Sequence, residues 1–286
     1  MHQPDNGQVN DILKDVKIPP SPEILTRLNA ELQKDDPELA TIAAILQKDA
    51  GLSALVIRTV NSPLFPLRTR VTSISQAISL LGLGYTINIV MGLVLRQTFD
   101  SDDYELTGFW ESPNNIALIM SRLSRSVAGL AADEAYMTGL FHNVGHTLIR
   151  QRFPDYHEFY IEHLNHPERC ITAFEQQRYN FDHATLGYYL ARSWGLPADI
   201  CQVILNHHNA VEMLEKVADD EAGERIQRLL ALLKLAEHIV TLFFWRKEDH
   251  EWVRCGDSVL HCLGLSEPDY QDIEADMLEL LETDAG

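Results

Sequence analysis

The apolar residues of this chain return every third or fourth position along almost its whole length, and that spacing restricts the fold more than any bulk property does. Ile24, Leu25, Leu28 and Leu32 share one helical face, as do Leu39, Ile42, Ala43 and Leu46. Leu52, Leu55, Val56, Thr59 and Val60 continue the pattern. So do Ile116, Met120, Leu123, Val127 and Leu130, and later Ile226, Leu229, Leu230, Leu233, Ala236, Val240 and Phe243. Strict apolar–polar alternation never runs beyond four or five residues, so strands are not expected. The fold class that follows is all-α. No apolar run reaches the ~18 residues that a membrane-crossing helix needs.

Local signals divide the helices. Asp36-Pro37 reads as an N-cap followed by a first-turn proline. Asn61-Ser62-Pro63 stops a helix, and residues 61–72 read as an irregular loop. Ser73 and Gln76 have the spacing of a capping box, as do Thr172 and Glu175. Gly82 and Gly84 interrupt the pattern before an apolar segment over 85–96. The polar stretch 100–108 is the expected boundary, after which Ser112-Pro113 opens a helix. A helix is expected over 134–149, another capped by Asp182, and another from Pro197 to His207-His208. Residues 211–222 read as acidic loop or frayed helix. Met277, Leu278, Leu280 and Leu281 mark an amphipathic closing helix.

With 42 acidic and 23 basic side chains the formal charge is −19, a field that repels nucleic acid and anionic membrane. Neither is expected as a partner. Cys170, Cys201, Cys255 and Cys262 form no close pair. They read as buried small hydrophobes in a reducing compartment. With no basic-then-apolar leader at the start, the expected location is the cytoplasm.

The chemistry-bearing residues are histidines near the ends of successive expected helices: His142, His183, His207 and His208. Neutral imidazole is a good ligand for zinc and iron. His142 and His146 are four residues apart and share a helical face, as in zinc proteases, but Asn143 stands where such a motif has its glutamate. His207 and His208 are about 100° apart on a helix, so one of them at most is expected to face a common centre. His238, beside Glu237, reads as a surface residue. Asn143 reads as a hydrogen-bonding member of a buried network that fixes helix packing without an ion.

Several ordered segments carry a family resemblance. They are Ile18-Pro-Pro-Ser-Pro, Leu46-Gln-Lys-Asp-Ala-Gly-Leu-Ser-Ala, Asn61-Ser-Pro, Ser73-Ile-Ser-Gln-Ala-Ile-Ser-Leu-Leu-Gly and Phe109-Trp110. Gly139-Leu-Phe-His-Asn-Val-Gly-His, Asp182-His183, Trp194-Gly-Leu-Pro and His207-His208 follow. Together they span about 200 residues, and the chain resembles the HDOD family, signalling relatives of the metal-dependent HD phosphohydrolases. The resemblance implies an N-terminal helical subdomain (18–100) after an extension (1–17). It is packed on an HD-like bundle (101–215) that C-terminal helices (216–286) complete. In catalytic relatives an early histidine, a His-Asp pair and a late aspartate hold an ion. Here those positions fall on Ser112, on His142 and Asn143, and on Glu237. The relatives' His-Asp-x-Gly-Lys pattern has its lysine where this chain has His146. His183, His207 and His208 match extra histidines of binuclear relatives.

The resulting expectation is a non-catalytic regulatory or protein-interaction module in bacterial signal transduction, with no cofactor. Its partner would be another protein acting in trans or a second copy of the chain. Leu64, Phe65, Arg68 and Arg70 are the candidate interaction loop, because exposed aromatic and arginine side chains anchor interfaces. One alternative is a phosphohydrolase holding iron, manganese or zinc on His142, His183, His207 and His208. The other is a nucleotide-binding sensor without turnover; the chain has no glycine-rich phosphate loop, since Gly82-Leu-Gly84 is too short.

Overall fold

The structure, a computed structural model, describes residues 16–61, 69–99, 111–126, 130–164, 170–245 and 249–285. Among these residues the regular elements are all helical, as the apolar spacing predicts. Five helices come first: α1 (Glu23–Leu32), α2 (Leu39–Gln47), α3 (Ala50–Val60), α4 (Ile74–Leu81) and α5 (Leu83–Phe99). The next group is α6 (Glu111–Leu123), α7 (Ala132–Phe141), α8 (Gly145–Arg152), α9 (Tyr156–Leu164) and α10 (Ile171–Tyr179). Then come α11 (His183–Ser193), α12 (Ala198–Asn206), a 3-10 turn (His207–Asn209) and α13 (Ala210–Glu215). The last three are α14 (Glu221–Trp245), α15 (His250–Leu263) and α16 (Glu267–Ala285).

Side-chain caps start two helices where the sequence places them and a third where none is expected. Ser73 accepts from Gln76 N at 3.2 Å and Asp182 from Thr185 N at 2.8 Å, while Asp49, not among the expected caps, accepts from Leu52 N at 2.9 Å. Each such cap contributes about 1 kcal/mol. The Ser73 box is displaced by one residue, because the Gln76 side chain accepts from Thr72 N rather than Ser73 N. Pro37 precedes the helix, whose N-cap is Glu38. Gly84 lies inside α5, and the Cys170 position, not Thr172, caps α10. The stretch 211–222, expected as loop or frayed helix, holds most of the short α13, a connection, and the start of α14.

Asn61 ties the two ends of the 62–70 segment together. Its side chain bonds both backbone groups of Val71 at 2.8 Å. Leu64, Phe65, Arg68, Phe109, Trp110 and the 100–108 boundary lie outside the described residues; Arg70 is described and exposed.

Two apolar cores share the helices. One joins α1–α5 to α7, α8, α11 and α12 through side chains such as Leu46, Ile89, Phe141 and Trp194. The other gathers α6, α12, α14, α15 and α16 around Leu229, Leu233, Ala236, Val259 and Met277. The α14 helix is the spine of this second core, packing against α6, α7, α12, α13, α15 and α16. Buried Trp194 also reaches back to the start of the described chain, donating from Nε1 to Pro19 O at 3.2 Å. No single described helix is long and apolar enough to cross a membrane. The bent pair α2–α3 passes by length and composition, but its apolar face lies in the first core. Among the cysteines, all free, Cys201 and Cys255 are buried and Cys170 and Cys262 half-buried.

Candidate functional site

The expected 134–149 helix breaks at His142–Val144, giving α7 and α8. The break sets α8 tight against the start of α11. A Cβ on Gly145 would lie 1.9 Å from His183 O, so only glycine fits this approach. The contact stacks His146 on His183, with ring centroids 3.7 Å apart and planes 17° from parallel. It also parts the histidines that a continuous helix would have aligned. His142 turns toward Glu237 of α14, and His146 toward Glu175 of α10.

The imidazoles are held by their Nδ1 atoms. His142 Nδ1 donates to Gly139 O at 2.6 Å, His207 Nδ1 to Ile204 O at 2.7 Å, and His183 Nδ1 to Glu175 Oε2 at 2.7 Å. A neutral ring that donates from Nδ1 carries a bare lone pair on Nε2. Those Nε2 atoms meet: His183 to His207 at 3.3 Å, and His208 to His183 at 3.1 Å. His207 Nε2 is also 3.2 Å from the Asn143 side-chain oxygen. Turning that amide over offers an N–H donor to the same lone pair. The Nε2 of His142 is buried, 3.3 Å from Glu237 Oε1 but out of hydrogen-bond alignment. The expectation that only one of His207 and His208 faces the centre is overturned. Both rings reach His183 even though a 3-10 turn steps by about 120° per residue, because each imidazole extends far enough to bring its Nε2 to the common point, the two ring centroids lying 4.1 Å apart.

Around the imidazoles stand charges that the sequence did not announce. Glu175 is fully buried; it accepts from His183 N at 2.9 Å, from His183 Nδ1 and from the Tyr156 hydroxyl, which also contacts His146 Nδ1. On the opposite side the buried ammonium of Lys234 lies 2.8 Å from Glu237 Oε2 and 3.0 Å from Glu251 Oε1. Glu251 is in turn 3.6 Å from His208 Nδ1. The polar cluster therefore runs Glu175–His183–His207/His208, and on through Glu251 and Lys234 to Glu237 and His142.

Burial sets the protonation states of the rings, and partners set those of the acids. Burial pushes His146 and His183 below the usual histidine range, although Glu175 opposes it. His207 goes well below, through burial and then the neighbouring charges of His208 and Lys234. Burial works to raise the Glu175 carboxyl, but the facing imidazoles of His183 and His146 overcome it and hold it well below the ordinary range. The Glu237 and Glu251 carboxyls are likewise lowered against burial, chiefly by the Lys234 ammonium. The two acids in turn hold Lys234 above the ordinary lysine range despite its burial.

Among the sequence candidates, the structure draws His142, Asn143, His146, His183, His207, His208 and Glu237 into this cluster. Ser112 sits half-buried in the first turn of α6. Glu175, Tyr156, Lys234 and Glu251 were not singled out as site residues. Glu175 reads from sequence as a capping residue; instead it points inward, eight residues before the histidine that it holds. His238 is not on the surface. It is buried, stacked 4.2 Å from Trp252, with its nitrogens 3.1 Å from Asp249 Oδ2 and 3.0 Å from the Tyr270 hydroxyl.

Comparison with known proteins agrees with this architecture. The family model of the HDOD domain matches residues 18–210. An uncharacterised protein of Treponema pallidum is 26% identical over 198 residues, which cover 67% of this chain and 38% of that protein. The chain thus spans well under half the length of that relative. An HDOD domain protein of unknown function from Geobacter sulfurreducens superposes with a TM-score of 0.70 at 23% identity, over 98% of this chain and 95% of its own. A candidate phosphohydrolase of Shewanella amazonensis also gives 0.70, at 20% identity, over 96% and 94%. At these identities the likeness establishes the fold.

Proposed function

Because the chain belongs to the HDOD family, we propose that it works as a non-hydrolytic regulatory module of bacterial signalling, acting through a protein partner. The observation that carries this reading is the Lys234 ammonium between Glu237 and Glu251. In a hydrolytic centre, carboxylates hold the ion and offset its charge. Here two of the three acids are engaged by a lysine, and the third, Glu175, is engaged by protons from His183 and Tyr156. Asn143 adds no charge where an aspartate would. What is left is a polar network satisfied largely from within. Such a network rigidifies the helices around it and supports a fixed outer surface for a partner.

The test is turnover. Bis(p-nitrophenyl) phosphate and cyclic dinucleotides incubated with the full chain and Mn²⁺, Fe²⁺ or Zn²⁺ should give no hydrolysis above the rate of a His183→Ala variant. Turnover that this variant abolishes would overturn the regulatory reading.

One observation favours a second reading, that the cluster holds a divalent ion. His183 and His207 both donate from Nδ1, so their facing Nε2 lone pairs at 3.3 Å repel one another unless a proton or a cation lies between them, and His208 Nε2 points to the same place at 3.1 Å from His183. Burial disfavours the proton on His183 and His207. Three imidazoles, two of them anchored through Nδ1 and the third with its Nδ1 3.6 Å from Glu251, fit zinc or iron, and they suit manganese less well. His183, His207 and His208 would hold the ion, which would supply a Lewis acid and an acidified water. His146 with Glu175 and His183 also cluster closely enough to ligate. There, however, the atoms already share protons with each other and with Tyr156. Metal analysis of chain purified without chelator tests this reading: zinc or iron lost in His207→Ala supports it, and its absence counts against it.

A further inference from the structure

The two ends of the polar cluster differ in what neutralises them. At the His183 end the ring nitrogens converge, and among the described residues no cationic side chain is bonded to them. At the Glu237 end an ammonium is built in: Lys234 Nζ lies on one oxygen of Glu237, while the other oxygen faces the buried Nε2 of His142. With the imidazoles neutral, as ligation requires, Glu175, Glu237 and Glu251 set against Lys234 leave the cluster two net negative charges. One divalent ion balances them. A second would leave two uncompensated positive charges in a buried site, which is strongly unfavourable.

We propose that Lys234 is a resident cation. Its ammonium takes the charge position of a second metal ion at the Glu237 end, so the cluster seats a single divalent ion, on His183, His207 and His208. The inference rests on the metal-holding reading for the count at the three histidines, but the part assigned to Lys234 has its own readout. Lys234 lies three residues before Glu237 on α14, so the helix itself presents both to the same space. Glu251, arriving from α15, fixes the ammonium from the other side at 3.0 Å. Removing the charge of Lys234 and restoring an acid at position 143 would leave four net negative charges, the number that two divalent ions balance.

Cobalt(II) titration of the chelator-treated full chain tests this, with visible absorption reporting the ligand field and elemental analysis counting ions in the folded fraction. The unaltered chain is expected to take one Co²⁺, lost in His207→Ala. Lys234→Gln, which keeps a donor for both carboxylates, and Lys234→Gln combined with Asn143→Asp are expected to approach two. The second ion should disappear on adding His142→Ala. Asn143→Asp alone, with the lysine in place, is expected to stay at one. Two ions on the unaltered chain or on Asn143→Asp would overturn the proposal, as would a folded Lys234→Gln, Asn143→Asp chain that takes no more ions than the unaltered one. If the unaltered chain takes none, the three-histidine seat fails. An ion gained by Lys234→Gln and lost with His142→Ala would still support the part assigned to Lys234. If the Lys234 variants do not fold, the count on Asn143→Asp decides.

Discussion

Glu237 and His238 are neighbours on α14, yet they enter two different buried networks. His238 has a partner on each nitrogen, Asp249 and the Tyr270 hydroxyl, and a stacked indole beneath it. Its hydrogen-bonding capacity is used up by α15 and α16, so it serves to join three helices. His183 and His207 are anchored through Nδ1, and their Nε2 atoms face each other and the Nε2 of His208, with the Asn143 amide beside His207. The difference teaches how to tell a histidine that cements a fold from one placed for an exchangeable guest. Burial is shared by both networks; what separates them is whether the second nitrogen meets only a hydrogen-bond partner from another helix, or the nitrogens of other imidazoles.

The strongest way to break the comparison is Glu175→Ala. It strips the acceptor from His183 N, His183 Nδ1 and Tyr156 at once, and three buried donors left unsatisfied at about 1–3 kcal/mol each should lower unfolding free energy by about 3–5 kcal/mol in all, read from urea denaturation. A value near zero would mean that this cluster is not a tight network.

The next effect is of pH. His146, His183 and His207 titrate below the ordinary 6.5 in the folded chain, so between those values and 6.5 the unfolded chain binds more protons. Stability of the chelator-treated protein is then full above about pH 6.5 and falls as pH drops through this window, by up to about 1.4 kcal/mol per pH unit for each ring. Below about pH 4.5 the lowered carboxyls of Glu175, Glu237 and Glu251 extend the loss. Urea midpoints that do not change between pH 7.5 and 5.5 would contradict the assignment of neutral buried rings.

Gly145→Ala should follow, forcing α8 off α11 at a cost of about 1–3 kcal/mol and weakening Co²⁺ uptake, because His146 and His183 lose their register. The smallest effect sharpens the contrast. His238→Phe keeps the stack on Trp252 and loses two hydrogen bonds, so it should cost about 1–2 kcal/mol while leaving Co²⁺ uptake unchanged. If uptake falls as it does for His207→Ala, the two networks are not separate.

How much of this could be read from the chain depended on the range of each signal. The helices were legible because apolar spacing is local, and the caps at Ser73 and Asp182 announce themselves within three residues. His142, Asn143 and the His207-His208 pair were legible as short motifs, and Glu237 was legible through the family pattern. Glu175, Lys234 and Glu251 were not. A single charged residue on an amphipathic helix looks the same in sequence whether it faces water or a buried partner. Only the packing of α10, α14 and α15 around α11 and the 3-10 turn turns these three inward. The break at His142–Val144 was hidden for a related reason. It answers to the backbone of His183, some forty residues away, and the one local trace of it is Gly145.

The hydrogen bond from Trp194 to the Pro19 carbonyl also governs the order in which the molecule can be completed on the ribosome. At synthesis rates of roughly 5–20 residues per second, that carbonyl waits on the order of 10–35 s for its donor, which lies 175 positions further along the chain. Until then the earliest helices have an unfinished wall and expose apolar side chains to whatever surrounds the nascent chain. A holding chaperone bound during that interval should shield them, and release should follow the emergence of the Trp194 segment.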